Sequence, residues 1–195
     1  MPSKIPEAVF PPTELREIVY EVVELLKDRG ETISCGETVS TAPFTAGPRV
    51  EVAGDANASG LVANAVALVN RLQLYTLESR LTYGGWTQEQ IDNFTGPSIH
   101  CVLGLAEHVR GQLGSTYTVA ESGSAGPSNW GKSDNMKAGY VALAVASSSG
   151  CVEREIETGL VDRDANMVRF AVEALRLVKD VIAADMARFS GWLNC

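Results

Sequence analysis

Helix-like and strand-like apolar patterns alternate along this chain, and that alternation limits its fold more than any other feature. Apolar residues recur at helical spacing in three long segments, 13–29, 98–114 and 164–186. Strand-like runs are shorter, at 32–35, 117–120, 140–146 and 151–158. Strands that alternate with long helices predict an α/β domain with helices on both sheet faces. Because Ser147–Gly150 looks like a hairpin, we expect a three-layer α/β/α sandwich with a mixed central sheet.

Local signals mark where the predicted helices begin and end. Thr13 and Asp164 are the predicted N-caps of the first and last helices, and Gly30 ends the first. Ser98 is the predicted start of the middle helix, and Gly114 its end. Thr87 and Gln90 match a capping box, in which each side chain bonds a free backbone N–H of the other residue. A short helix is therefore predicted after Thr87.

The middle of the chain is harder to interpret. Residues 44–60 contain several glycines and a proline among small residues, which predicts a long loop. Residues 61–74 suit either a helix or a buried strand, and we expect a helix at the start of this segment and a strand near Tyr75.

Length and charge limit the kind of protein. The chain has 195 residues, which suits one domain, and we expect residues 13–195 to form it after a tail at 1–12. A formal net charge of -8 argues against nucleic acid as a partner. No run of 18 apolar residues or signal-peptide core occurs, so we expect a cytoplasmic protein without a membrane partner.

The cysteines and histidines do not have the spacing of a metal site. No CxxC pair or helical His pair occurs among Cys35, Cys101, Cys151, Cys195, His100 and His108. We expect buried free thiols and no metal site.

A polar stretch, GETVSTAP at Gly36 to Pro43, begins where the first predicted strand ends. Loops that follow strands often hold catalytic groups, so its hydroxyls and carboxylate are candidates for chemistry. Glu37 is the best candidate for proton transfer, since a carboxylate on a partly buried turn can act as an acid or a base.

A second polar segment, Glu121 to Gly139, is rich in glycine and hydroxyl residues. Glycines let backbone N–H groups approach a phosphate or carboxylate closely, and Lys132 adds a mobile cation. Trp130 lies in the same segment as a candidate ligand contact or lid. The alternative is a plain flexible connection between two strands.

Several segments, in this order and spacing, resemble the C-terminal domain of the CinA competence/damage-inducible family over about residues 13 to 184. The most similar are the helix Leu105–Gly114, the loop Ser122–Pro127 and the strand Gly139–Val145. Tyr75 to Arg80 resembles the family's Tyr-x-Asn-x-x-Lys segment, and Asp162-Arg163 its Gly-Asp-Arg turn.

The resemblance implies hydrolysis of the carboxamide of nicotinamide mononucleotide to a carboxylate and ammonia, without a metal or cofactor. It also implies a small-molecule substrate as the partner and a homo-oligomer. The candidate catalytic residues are Glu37, Thr38, Ser40, Tyr75 and Arg80. The candidate substrate-binding residues are Thr41, Tyr83, Ser122, Gly123, Ser124, Gly126, Trp130, Lys132 and Arg163.

The chain departs from the family pattern at the reactive loop. GETVSTAP aligns with the family's AESCTGG, so Thr38 replaces the reactive serine, and its β-methyl crowds the path of attack. Arg80 stands where the family has lysine, and an arginine cannot act as a general base at neutral pH. Three interpretations stay open: a working amidohydrolase, a member with other acid/base chemistry such as isomerisation, cyclisation or elimination, and a silent binding subunit.

Overall fold

The computed structural model describes residues 12–38, 69–74, 76–129 and 131–192. The helices are α1 Thr13–Arg29, α2 Leu77–Tyr83, α3 Gln88–Asp92, α4 Ile99–Leu113 and α5 Arg163–Trp192. The strands are β1 Ile33–Glu37, β2 Val69–Gln73, β3 Tyr117–Ser124, β4 Tyr140–Ser147 and β5 Gly150–Glu157. A 3₁₀ turn covers Asp134–Met136.

The strands form one sheet in the order β2-β1-β3-β4-β5. β1 runs parallel to both β2 and β3, whereas β4 is antiparallel to β3 and to β5. Ser147 and Gly150 pair across the predicted hairpin. The mixed sheet expected from the sequence is confirmed.

Helices cover both sheet faces, which confirms the three-layer architecture. Ile33 and Cys35 of β1 belong to the core under α1 and α5. Gly36 faces the other way, where a Cβ atom would lie 3.2 Å from Leu105 and 3.3 Å from Val109 of α4. Because successive residues of a strand point to opposite faces, this alternation fixes the face of each β1 side chain.

Two predicted helix caps are wrong, although the helices themselves are present. Pro12 precedes α1 and Thr13 is already helical, so no side chain caps that end. Asp162, rather than Asp164, caps α5, because its Oδ1 accepts a 2.8 Å bond from the Ala165 N–H. The cap of α5 therefore lies two residues before the one that the sequence predicts.

Other end signals are confirmed. Gly30 ends α1 in the left-handed conformation with φ 62°. Thr87 and Gln90 form both bonds of the capping box at the start of α3. The Ser98 side chain caps α4, and Gly114 ends that helix at φ 63°.

The first and third strands run further than predicted. β1 continues to Glu37 and β3 to Ser124, so the predicted polar turn after β1 and the glycine-rich loop after β3 begin inside the sheet. β2 fits the strand predicted near Tyr75, whereas the loop at 44–60 and the helix at the start of 61–74 lie outside the described residues. No helix in the described part of the chain is long and apolar enough to cross a bilayer.

Candidate functional site

Polar side chains gather at the carboxyl ends of the parallel strands β1 and β3. The Thr38 N–H donates to the Glu121 carbonyl at 3.3 Å, which extends the pairing of the strands by one residue. Thr38 Oγ1 donates to Ser122 Oγ at 2.7 Å. Both residues are buried, with exposed fractions of 1% and 0%. Their hydroxyls therefore form a fixed pair within the protein.

Arg80 of α2 completes this cluster from the side. Its Nε donates to the Leu74 carbonyl at 3.2 Å and its Nη2 to the Thr38 carbonyl at 3.3 Å. Only 4% of Arg80 is exposed, yet its Nη1 has no hydrogen-bond partner among the described residues. A buried guanidinium with an unused donor can bind an anionic group of a ligand.

Aromatic rings hold the Arg80 guanidinium in place. Its Cζ lies 5.1 Å from the centroid of the Trp86 ring and 4.9 Å from that of Phe94. Burial lowers the pKa of Arg80, while electrostatic interactions with Cys101 and Glu121 act in the opposite direction. A guanidinium has so high an intrinsic pKa that it stays protonated at neutral pH. The site therefore contains a permanent, poorly hydrated cation.

The carboxylates at these strand ends lie on the opposite sheet face from the hydroxyls. Glu37 and Glu121 are register partners in β1 and β3 and are 0% and 2% exposed. Glu37 Oε1 accepts a 3.7 Å bond from Cys35 Sγ, on the side of α1 and α5. Strand alternation separates the Glu37 carboxylate from the Thr38 hydroxyl, although the residues are adjacent in sequence.

Close packing explains why glycine occurs at two candidate positions of the polar segment Glu121 to Gly139. A Cβ atom at Gly123 would lie 2.7 Å from the Tyr140 carbonyl of the neighbouring strand. At Gly126, with φ +89°, it would lie 2.8 Å from the Val161 carbonyl. Packing therefore requires glycine at both positions, and their role as ligand contacts stays a prediction.

The remaining candidates lie apart from this cluster or fall outside the described residues. Tyr83 is 61% exposed at the end of α2, and Lys132 is exposed. Arg163 is exposed and donates from Nη1 to the Gly126 carbonyl at 3.2 Å, while Ser124 Oγ donates to the Asn135 carbonyl. None of these contacts reaches Thr38. The candidates outside the described residues are Ser40, Thr41, Tyr75 and Trp130.

The sequence interpretation did not include Glu121, Trp86 or Phe94 in the site. The sequence does contain a signal for Glu121, because Glu121-Ser122 comes after the strand predicted at 117–120 much as Glu37-Thr38 comes after the strand predicted at 32–35. The aromatic residues gave no such signal, since only the folded chain brings them to Arg80. Within the described ranges, no cluster of three His, Cys, Asp or Glu side chains could hold a metal ion, and Cys35, Cys101 and Cys151 form no disulfide.

The fold and this cluster define an α/β/α domain with a polar site at the carboxyl ends of its parallel strands. The chain belongs to the CinA C-terminal domain family, whose profile matches residues 15–182. It is 31% identical over 180 residues to a CinA-like protein of Shewanella sediminis, covering 87% of this chain and 38% of the relative. A CinA-like protein of Fervidobacterium nodosum is 30% identical over 182 residues, covering 93% of this chain and 38% of the relative.

Solved structures share the fold. The competence/damage inducible protein CihA from Agrobacterium tumefaciens superposes with a TM-score of 0.72 at 21% identity, covering 87% of this chain and 96% of that one. A CinA superfamily protein from Escherichia coli gives 0.70 at 12% identity, covering 90% and 95%. The structural likeness extends across nearly the whole of those chains.

Proposed function

We propose that this chain is a metal-independent amidohydrolase of the nicotinamide mononucleotide deamidase type, which converts a primary carboxamide to a carboxylate and ammonia. The observation that supports this proposal is the buried Thr38 hydroxyl, bonded to Ser122 at 2.7 Å beside the Arg80 guanidinium. Ligands of open α/β sheets bind outside the carboxyl ends of the strands, which is where this cluster lies. Thr38 also aligns with the family's reactive serine.

The hydroxyl pair supplies a route for the proton. Thr38 Oγ1 attacks the amide carbon while its proton passes to Ser122 Oγ, and the Ser122 proton passes to the leaving nitrogen. Ammonia departs and leaves an ester on Thr38. Water then cleaves the ester by the same relay in reverse, which restores both hydroxyls and releases the carboxylate.

Arg80 serves this reaction as an anchor, because it cannot accept a proton at neutral pH. Its Nη1 is the donor available to a phosphate of the substrate or to the developing oxyanion. Its bond to the Thr38 carbonyl holds the backbone of the reactive residue at the same time. The Arg80 side chain therefore ties substrate binding to the position of Thr38.

Ammonia release from nicotinamide mononucleotide tests the proposal. Thr38→Val keeps the shape but removes the hydroxyl, so we expect release to fall by about a hundredfold or more, the scale of losing a group that acts in the transition state. Thr38→Ser restores the hydroxyl without the crowding methyl group and should be at least as active as the unchanged chain.

Thr118→Val is the matched control for this experiment. It makes the same change at a buried hydroxyl that bonds Ser34 Oγ at 2.6 Å near the amino end of β3, away from the carboxyl ends where the site lies. This variant should keep its turnover. The proposal fails if the unchanged chain releases no ammonia at high enzyme concentration, or if Thr38→Val is as active as Thr118→Val.

The buried pair Glu37 and Glu121 favours a second candidate function, acid/base chemistry such as isomerisation, cyclisation or elimination. Neighbouring carboxylates in a dry environment are suited to give and take a proton. Under this alternative, Glu121→Gln or Glu37→Gln abolishes turnover of a substrate found by metabolite screening, whereas Thr38→Val is tolerated. The amidohydrolase proposal expects Thr38→Val to abolish turnover of its own substrate.

A further inference from the structure

The outer edge of β5 is open to another strand. β5 is the last strand in the order of the sheet, and no strand in the described ranges pairs with its far side. All 8 of its residues pair with β4 in an unbroken register, without a proline or a bulge. Proteins usually protect an edge of this length with proline, lysine, a bulge or a covering element. Since β5 contains neither proline nor lysine, its other charged side chains are the protection that remains.

The backbone groups on this edge belong to alternate residues. The Thr158 N–H donates to the Gly139 carbonyl at 2.9 Å, which makes these two residues a hydrogen-bonded pair of the antiparallel ladder. In the same register, the even-numbered residues of 150–156 turn their N–H and C=O groups towards β4. The odd-numbered residues of 151–157 therefore turn theirs away from β4, where an added strand could bond them.

The side chains of the outward-bonding residues lie on the sheet face that α4 covers. Cys151 packs against the core on that face, and strand alternation places Glu153, Glu155 and Glu157 on the same face. All three glutamates are exposed, although the Tyr140 hydroxyl donates to Glu155. Three carboxylates therefore lie directly beside the positions at which an added strand would bond.

Two cations near these glutamates are already engaged. Arg154 belongs to β5 but points to the opposite face, where its Nη2 donates to Asp180 Oδ2 at 2.8 Å. Lys137 interacts electrostatically with Glu157, but its ammonium group donates to Asp134. Neither cation neutralises the row of carboxylates.

Helix α4 adds one charge of each sign near the start of β5. Glu107 accepts a 3.6 Å bond from Cys151 Sγ. Arg110 interacts electrostatically with the same cysteine and donates from Nε to the Thr116 carbonyl. These two charges offset each other, so the acidic character of the edge comes from the glutamates of β5.

The other face of β5 has apolar side chains. Val152 is 45% exposed, and Ile156 packs against the core under α1 and α5. An added strand would place every second side chain beside the glutamates and the side chains between them beside Val152 and Ile156. A strand with alternating basic and apolar residues matches both faces.

We propose that the free edge of β5 binds an extended segment of another protein, antiparallel to β5, with lysine or arginine at alternate positions and apolar residues between them. Backbone hydrogen bonds to the odd-numbered residues of 151–157 hold the segment, and the glutamates select its charge. A second copy of this chain fits poorly, because pairing β5 with β5 places glutamates opposite glutamates. This inference goes beyond the proposed amidohydrolase function and requires no turnover.

A peptide of three Lys-Val repeats, blocked at both ends, tests the binding. We expect it to shift the amide NMR signals of Glu153, Glu155 and Glu157 saturably in the full chain and to slow the exchange of these amides with solvent. A peptide of three Glu-Val repeats should give no such shift. The same six residues arranged as a lysine block and a valine block should bind at least about fivefold more weakly, because lysines and valines no longer alternate between faces.

N-methylated peptides separate strand pairing from simple charge attraction. The lysines of the added strand face the glutamates and direct their N–H groups to β5, whereas the valine N–H groups point away. Methylation of the three lysine amides should weaken binding by about tenfold or more, and methylation of the three valine amides should change it less than about twofold. Equal effects of the two methylations would overturn the proposed pairing.

Glu153→Gln combined with Glu157→Gln tests the charge preference, and Glu24→Gln combined with Glu78→Gln is the matched control. Both double variants remove two exposed carboxylates, but Glu24 and Glu78 belong to α1 and α2. The β5 variant should bind the Lys-Val peptide about fivefold more weakly, and the control should lose less than about twofold.

Three results overturn the proposal. The first is the absence of a saturable shift in β5 at millimolar peptide. The second is equal binding by the two double variants. The third is a change of the β5 signals with protein concentration alone, which would assign the edge to a second copy of this chain.

Discussion

Arg80 shows how one buried side chain can have several roles. It bonds the Leu74 and Thr38 carbonyls and stacks on Trp86 and Phe94, so its planar fork and its charge are both used. A lysine has one compact charged end and cannot reproduce this set of contacts. Replacing Arg80 with the lysine that the family has at this position would therefore lose some of these contacts.

Arg80→Lys should lower the free energy of unfolding by about 1 to 2 kcal/mol, because buried carbonyls and rings lose their partner. Arg110→Lys is the control, since Arg110 bonds a single carbonyl, that of Thr116, at 3.2 Å and is only partly buried. Urea denaturation of both variants measures the difference. Equal losses in the two variants would contradict the role given to Arg80.

The sequence predicts several residues of this candidate site by position, but not how they are arranged. Glu37, Thr38, Ser122 and Arg80 were all candidates, and the structure brings Thr38, Ser122 and Arg80 together. It places the Glu37 carboxylate on the other face of the sheet. Adjacent residues at a strand end look equivalent in a sequence, and only the register and alternation of the strand separate them.

At the scale of helices and strands, the cap of α5 is set by hydrogen bonding rather than by the apolar pattern. Asp162 Oδ1 accepts the Ala165 N–H, and its carbonyl accepts the Asn166 N–H. Asp162→Ala should therefore destabilise the protein by about 1 kcal/mol, the usual effect of losing a cap. Asp164→Ala removes the same group without a cap bond and should cost less. Thermal unfolding compares them, and an equal loss would place the cap elsewhere.

Helices were predicted more accurately than strand ends, for a physical reason. The stripe of apolar residues and the glycine at Gly30 or Gly114 mark a helix within the sequence itself. The ends of β1 and β3 instead bury Glu37 and Ser122, polar residues that in sequence suggest a turn. Such residues enter a sheet only when the folded chain supplies neighbouring strands and helices around them.

At the scale of the whole molecule, a buried tyrosine makes the free energy of unfolding fall at high pH. Burial raises the pKa of Tyr117 to about 12, with further contributions from the negative charges of Glu31 and Asp185 and an opposing one from Arg29. The ordinary tyrosine value is 10.0, so the unfolded chain loses this proton first. The stabilising effect is complete below pH 10 and is lost as the pH rises towards 12.

Tyr117→Phe should make the fall in unfolding free energy between pH 10 and 12 shallower. Part of the fall should remain, because burial also raises the pKa of Tyr140 and raises that of Cys151 to about 11. Tyr20→Phe, at a tyrosine 45% exposed on α1, is the control and should leave the slope unchanged. Denaturant titrations at several pH values measure it, and identical slopes for all three proteins would refute the assignment.

The chain spans 38% of the length of the Shewanella sediminis relative and 36% of a second, from Shewanella piezotolerans. The match therefore covers less than half of each of these relatives. The activity proposed for this chain concerns only the matched domain and its strand-end site.

The most direct test of the central claim is a search for an ester on Thr38 during turnover. The enzyme is mixed with nicotinamide mononucleotide, quenched in acid and examined by mass spectrometry of its peptides. The account predicts a mass increase equal to the acyl group on the peptide that contains Thr38, and no adduct in Thr38→Val. Steady release of ammonia without that adduct, together with its loss in Glu121→Gln, would contradict the account and assign the chemistry to the carboxylates.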